Sequence, residues 1–412
     1  MVIVQQGIWV LGGYQSDFAR NLTREGVEVD GLTAEVVRGT LSDAGVQATD
    51  IGTVHVGNAF GQLFTGQGHL GAMPATVDED LWGLPAARHE AACASGSIAV
   101  LAAMAELEAG RYETALVIGV ELERTVPGDT AAQHLGAASW IGHEGAPKYV
   151  WPQGFSDVAD EYDRRYGVDD AHLHAFAELA MRNAKDNPNA QTRGWRFGEA
   201  SFSDDDDVNP VVAGRTRRTD CSQVTDGGAG LVLATDTWVR DHPEAVAGGR
   251  AARITGWGHR TVGLALHRKF ERSKDDTHVM PHVRDAFGDA LRRAGLGSVD
   301  DLSAVEVHDC FTASGYLAID HTGITGPGES WKAIEGGDIE RTGRVPVNPG
   351  GGLIGGGHPV GATGIRMAVD ALRQVTGTAG ATQIDGARRV GTLNIGGSTA
   401  TTCSLVLEGA PA

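Results

Sequence analysis

Two kinds of apolar spacing alternate along the chain. Short runs, either strictly alternating or continuously apolar, include Val54-His-Val56, Ala115-Leu-Val-Ile-Gly-Val120 and Val305-Glu-Val307, and they read as β-strands. Longer stretches with helical spacing separate them. The alternation predicts an α/β fold whose sheets are covered by helices.

The pattern also repeats. Residues Ala44 to Phe60 read A-G-V-Q-A-T-D-I-G-T-V-H-V-G-N-A-F, and about 250 residues later Ala294 to Phe311 read A-G-L-G-S-V-D-D-L-S-A-V-E-V-H-D-C-F. In both, a helix ending at Ala-Gly leads through a loop to a V-x-V strand, then to a polar pair and a phenylalanine. Downstream, Cys93-Ala-Ser-Gly-Ser-Ile98 answers Gly361-Ala-Thr-Gly-Ile-Arg366, each a turn opening an apolar helix, and Leu116-Val-Ile-Gly119 answers Leu393-Asn-Ile-Gly396. Three matches in order indicate duplication of an α/β unit. The stretch 122–221 has no counterpart. We expect residues 1–121 and 222–250 to form one half, 122–221 an inserted loop or lid domain with the acidic run Asp204 to Asp207 solvated, and 251–412 the second half.

Composition narrows the function. A length of 412 residues exceeds one ordinary core, which agrees with two halves. A net charge of −19 makes nucleic acid and anionic membrane poor partners. The 59 glycines exceed the roughly 7% of average usage, so many backbone positions turn tightly or approach a neighbour closely. The longest strongly apolar stretch, Ile98 to Met104, is too short to span a bilayer. Met1 to Gly13 lacks a secretory layout, and Glu408-Gly-Ala-Pro-Ala412 is not a peroxisomal address. The four cysteines, 93, 221, 310 and 403, show no metal or disulfide spacing. A cytoplasmic protein without a bound metal is expected.

Cys93 stands immediately before an apolar helix, where the positive end of the dipole and free N–H groups would lower its pKa and bind an oxyanion. A lone cysteine there could equally be packing. In the second half, His358 lies in the turn Gly355-Gly-Gly-His-Pro-Val-Gly361 at the repeat position of Cys93. A pseudo-twofold would bring the two helix starts together and offer His358 as base to Cys93. His308 and Cys310 follow the second V-x-V strand, where a strand end can deliver polar groups to a cleft. Gly350 to Gly355 satisfies G-x-G-x-x-G, but Pro346 and Pro349 precede it instead of a clean strand, which argues against a dinucleotide site.

Taken together, Cys93-Ala-Ser95, His308-Asp-Cys-Phe311, Gly357-His-Pro359 and Asn394-Ile-Gly-Gly397 resemble the thiolase superfamily, and more closely its sterol carrier protein type. The resemblance spans nearly the whole chain. It implies an αβαβα layered fold, a loop domain, and a tight homodimer or dimer of dimers. It further implies acyl transfer to Cys93, activated by His358. His358 and His308 would stabilise the enolate oxygen, the N–H groups of Cys93 and Gly396 would form a second oxyanion hole, and Cys310 would move the α-carbon proton. Asn394 occupies the place where other thiolases carry a second cysteine, and is expected to tolerate alanine better than Cys310. The approach to Cys93, His89-Glu-Ala-Ala, is less typical of the sterol carrier protein type.

The expected activity is thiolysis of a 3-oxoacyl-CoA or the reverse Claisen condensation, with CoA and acyl-CoA as substrates and no permanent cofactor. Arg215, Arg217 and Arg218 are candidates for the CoA phosphates, with a solvated basic turn as the alternative. Two other readings stay open: a decarboxylating ketosynthase or retro-aldolase on the same fold, and a subunit that needs a small accessory protein.

Overall fold

The computed structural model describes residues 6–143 and 147–410. Of the chain ends read above, residues 1–5 and 411–412 therefore lie outside the described residues.

Nine strands form one continuous mixed sheet: β1 (Ile8–Gln15), β2 (Thr53–Gly57), β3 (Ala86–His89), β4 (Thr114–Glu121), β7 (Gly227–Thr235), β8 (Ala252–Thr261), β9 (Ala304–Val307), β10 (Arg389–Gly396) and β11 (Thr401–Gly409). A small hairpin, β5 (Val211–Ala213) with β6 (Thr216–Arg217), lies apart. The order is β3-β2-β4-β7-β1-β8-β11-β10-β9, which is a mirrored succession about the β1–β8 junction. That junction is short, pairing Ile8 to Val10 with Ala252 to Ile254.

The repeat explains this order. β1, β2, β4 and β7 correspond to β8, β9, β10 and β11. The expected fifth strand of the second half is reduced to one parallel bridge, Val305 to Val347. Pro346 and Pro349 flank Val347, and a residue without an N–H cannot extend a ladder.

Layering follows from strand alternation. In β4, Ala115 and Val117 join one cluster with Ala99, Val100 and Ala103 of α2 (Ser95–Glu108) and Ala368 and Leu372 of α7 (Thr363–Thr376). Leu116, Ile118 and Val120 face the opposite way, onto Leu32, Val36 and Val37 of α1 (Val29–Ala44). In the second half, Leu405 and Leu407 share the cluster of α2 and α7, whereas Val406 packs with Phe287 and Leu291 of α5 (Pro281–Arg293). Helices α2 and α7 are thus sandwiched between two half-sheets, with α1 and α5 outside. This is the αβαβα arrangement.

Glycines let the two buried helices meet. A Cβ on Gly57, Gly96 or Gly119 would lie 2.9, 2.9 or 2.8 Å from the Gly361 carbonyl oxygen. Side chains at these positions would push apart the starts of α2 and α7, where the chemistry is placed.

Between β4 and β7 the chain forms α3 (Val150–Tyr166), α4 (Asp170–Ala184) and the β5–β6 hairpin. Phe155, Tyr162, Phe176 and Leu179 of these helices pack on Tyr316, Leu317 and Ile319 of α6 (Thr312–Thr322). The insertion therefore covers the second half, beside the mouth of the site.

Candidate active site

Each half delivers its reactive group on a short connection that the local sequence shapes. After β3 the chain turns at Ala92, whose φ of +50° is a strained value for a residue with a side chain. Ser95 holds that turn: its Oγ accepts from Ala91 N at 2.9 Å and donates to the Ala92 carbonyl at 2.6 Å. Cys93 follows at the start of α2 and borders a cavity of about 280 Å³ that is also lined by Cys310, His358 and Gly397.

His308 and Cys310 arrive at the end of β9. Asp309 between them turns away and accepts N–H groups from Leu353 and Ile354 at 2.7 and 3.4 Å. Two N–H groups of the glycine-rich turn are thereby committed to a carboxylate of the protein. Cys310 is buried, with its Sγ 3.6 Å from Ser314 Oγ.

The structure brings the predicted residues together. Cys93, His308 and His358 each place a possible ligand atom within 4.8 Å of the others, and the two imidazoles meet edge to face at 5.1 Å. Thr363 Oγ1 donates to the Pro359 carbonyl at 3.0 Å and, with its single proton placed there, accepts from His358 Nδ1 at 2.7 Å. In that arrangement His358 carries its proton on Nδ1 and keeps a lone pair on Nε2. That is the form of a base.

Electrostatics set a neutral resting state. Burial is the main cause that pushes the Cys93 thiol up to about 12, and Glu123 adds to it; N–H groups of Gly397 and Cys93 act in the opposite direction. The helix start does not lower this thiol as the sequence suggested, because desolvation and a nearby carboxyl outweigh two hydrogen bonds. Burial and then Arg366 push His358 down to about 3. Burial, with His358 and Arg366, also takes His308 well below the usual histidine range. Burial raises Cys310 well above an ordinary thiol, and Cys93 adds to this.

Gly396 pairs with Thr401 within the sheet, and the N–H beside the Cys93 sulfur belongs to Gly397, one residue further on. Arg215 is engaged by Asp160, Asp163 and Asp170, at 3.4, 3.3 and 2.6 Å. Arg217 is held by Asp204 and Asp206 at 3.2 and 2.7 Å, so part of the acidic run is paired. Neither arginine borders the cavity; Arg218 does. Cys403 is buried in β11, whereas Cys221 forms part of the cavity wall, with Sγ 3.3 Å from the Arg217 carbonyl.

Two further residues were missed in the sequence. Glu121 closes β4 and Glu123 follows two residues on, and both hold the loop of His358 from the opposite half. Glu121 accepts from Ala59, Phe60 and Gly361 N–H groups, at 2.9, 3.0 and 3.1 Å. Glu123 accepts from Val360 N at 2.8 Å and borders the cavity. Burial raises both carboxyls, Glu121 to about 7 and Glu123 well above the carboxylate range. Two acids closing an otherwise apolar strand, V-I-G-V-E-L-E, were the available signal.

Comparison with known proteins agrees with this architecture. Residues 8–194 match the thiolase N-terminal domain and residues 264–409 the thiolase C-terminal domain-like model. The chain is 32% identical over 368 residues to acetyl-CoA acetyltransferase of Methanothermobacter thermautotrophicus, covering 89% of this chain and 91% of that one. It is 26% identical to sterol carrier protein 2 of Gallus gallus, over 99% of this chain and 73% of that protein. Its fold matches human mitochondrial 3-ketoacyl-CoA thiolase in complex with CoA, with a TM-score of 0.74, 16% identity and 99% of each chain covered. It also matches the Ltp2-ChsH2(DUF35) aldolase, with a TM-score of 0.76, 20% identity and 98% of each chain covered. The chain belongs to the thiolase family. It is an acyltransferase of that family.

Proposed function

We propose that the protein transfers acyl groups between CoA thioesters through a Cys93 thioester, cleaving a 3-oxoacyl-CoA with CoA or running the reverse condensation. The observation that carries this reading is the convergence of Cys93, His358 and Cys310, from both halves of the chain, on one cavity, with His308 placing a ring nitrogen within 4.8 Å of the reactive atoms of Cys93 and His358. When an acyl-CoA enters, Cys93 attacks its carbonyl while His358 Nε2 takes the thiol proton. The oxyanion is met by the N–H groups of Cys93 and Gly397, and collapse expels the CoA sulfur, which receives the proton from His358. In the condensing direction His358 Nε2 takes the Cys310 proton, and the Cys310 thiolate removes an α-proton from the second thioester. The enolate, held by Nε2–H of His308 and of the now protonated His358, attacks the Cys93 thioester, and Cys93 leaves as a thiolate that recovers the proton from His358. Thiolysis is the same path in reverse.

The site does not fit a ketosynthase as well, because decarboxylation generates the enolate without a thiol at the α-carbon. Arg218, at the cavity, is the cation suited to the CoA phosphates. We take 122–221 as the lid, with 1–121 plus 222–250 and 251–412 as the two halves. We also place the protein in the cytoplasm; among the described residues no helix is long and apolar enough to cross a membrane. Among the described residues β3 pairs with β2 alone at one end of the sheet, which supports pairing with a second copy. A small accessory protein is a further partner we propose, supported by the fold's likeness to the Ltp2-ChsH2(DUF35) aldolase.

Intact-mass spectrometry of the purified chain with acetyl-CoA, beside a thiolysis assay with acetoacetyl-CoA and CoA, tests the reading. We expect one acetyl adduct mapped to Cys93 and CoA-dependent cleavage. Absence of both, with folded protein, would defeat it.

A further inference from the structure

Asn394, which stands where other thiolases carry a cysteine, is fully buried and touches the catalytic group of the other strand end. Its Nδ2 lies 3.0 Å from His308 Nδ1, and its Oδ1 lies 2.8 Å from Ser97 Oγ. The orientation of the amide follows from hydrogen-bond accounting. Among the described residues, Asn394 Oδ1 is the one acceptor within reach of the Ser97 hydroxyl, which is itself buried. Turning the amide over would leave that O–H without an acceptor in the core, an unfavourable state. The amide N–H₂ therefore points at His308 Nδ1, which must accept. His308 then carries its proton on Nε2, and this nitrogen is buried with no hydrogen-bond partner among the described residues.

We propose that Asn394 is a positioning residue that locks His308 in the Nε2–H tautomer, presetting it as a hydrogen-bond donor to the thioester oxygen of the enolate. The two imidazoles of the site thereby hold opposite tautomers. Thr363 leaves His358 with a lone pair on Nε2, as the base; Asn394 leaves His308 with a proton on Nε2, as the donor. The sequence of Ser97, Asn394 and His308 is a relay across both halves, from α2 through β10 to the end of β9.

The lock has a second consequence. One thiol and two imidazoles within 4.8 Å of one another are a ligand set for a soft divalent cation such as zinc. Coordination through Nε2 requires a lone pair there, and the lock supplies a proton instead. Asn394 thus favours oxyanion binding over metal capture.

This inference rests on the thiolase reading for its activity readouts, but its central statement is measured without turnover. Histidine-selective ¹⁵N NMR of the whole protein should find the His308 proton on Nε2. Asn394→Asp, whose carboxylate accepts from Nδ1–H, should move the proton to Nδ1 and raise zinc affinity about tenfold or more, since the free lone pair is what the metal needs. It should lower thiolysis by about 10² to 10³, the usual effect of losing one oxyanion donor, while acylation of Cys93 changes by less than about threefold. Asn394→Ala, without a buried charge, should give a mixed tautomer and a loss of roughly tenfold; it carries the test if the aspartate variant does not fold. A wild-type proton on Nδ1, or thiolysis unchanged in both variants, or equal loss of both half-reactions, overturns the lock. A wild-type Nε2–H in a protein without thiolase activity would instead overturn the assigned function and leave the lock standing.

Discussion

At the start of α2 the chain reaches Cys93 through a turn that its own neighbours hold, with Ala92 in the left-handed region and Ser95 bonded to both sides of it. At the matching start of α7, the loop carrying His358 is bonded locally by Thr363 but its backbone N–H groups are held from elsewhere. Thr225 Oγ1 accepts from His358 N at 2.9 Å, Glu123 from Val360 N and Glu121 from Gly361 N. Duplication supplied two equivalent helix starts, and different anchoring made one a nucleophile and the other a base. A self-held turn places a sulfur firmly in a crowded position. A loop held by the other half registers the base against that sulfur, because Glu121 ends β4, separated only by β2 from the β3 strand that leads to Cys93, and Glu123 follows two residues on.

The largest break in this comparison is removal of the nucleophile. Cys93→Ala should lower both half-reactions on the order of 10⁵ or more, since catalytic groups acting as a unit fail together. Cys310→Ala should separate them: condensation and thiolysis fall by about 10² to 10⁴, the range for a lost general acid or base, while acetyl-CoA still acylates Cys93. Intact mass reads the first step and the coupled assay the second. Near-normal thiolysis by the Cys310 variant would place the α-proton elsewhere.

The anchoring itself comes next. Glu121→Ala leaves the N–H groups of Ala59, Phe60 and Gly361 without their acceptor, so we expect a loss of at least about 3 kcal/mol in denaturant unfolding. Ser95→Ala, which frees one N–H, should cost about 1 kcal/mol. Equal losses would mean that the two helix starts are held alike.

The charge state of the pair gives a smaller, sharper test. With the Cys93 thiol raised to about 12 and His358 lowered to about 3, the resting pair is neutral near pH 7. Carbamidomethylation of Cys93 should rise about tenfold per pH unit from 7 to 9, because the reactive thiolate is a small and growing fraction. A plateau across that range would indicate a preformed thiolate and imidazolium. The smallest effect is at the cavity mouth. Arg218→Ala should raise the KM for CoA about two- to fivefold, the scale of a partly screened charge contact. Arg215→Ala should leave KM unchanged, because its guanidinium is already matched by three aspartates.

The sequence by itself determined the strand and helix alternation, the duplication and the positions of Cys93, His308, Cys310 and His358. These are local properties: a spacing of apolar residues or a polar group at an element's end is written in consecutive positions. It misjudged what depends on surroundings. The free energy of a charge depends on everything around it, so the expected lowering of the Cys93 pKa gave way to burial and Glu123. Arg215, Arg217 and Arg218 are a single basic turn in sequence, yet tertiary contacts sent two to carboxylates and left one at the cavity. Only the tertiary structure decided that Gly397 lies beside the sulfur, that Glu121 and Glu123 clamp the opposite half, and that Asn394 faces His308. Each pairs residues far apart in the chain, and hydrogen bonds of a few ångströms are fixed by packing rather than by the order of residues.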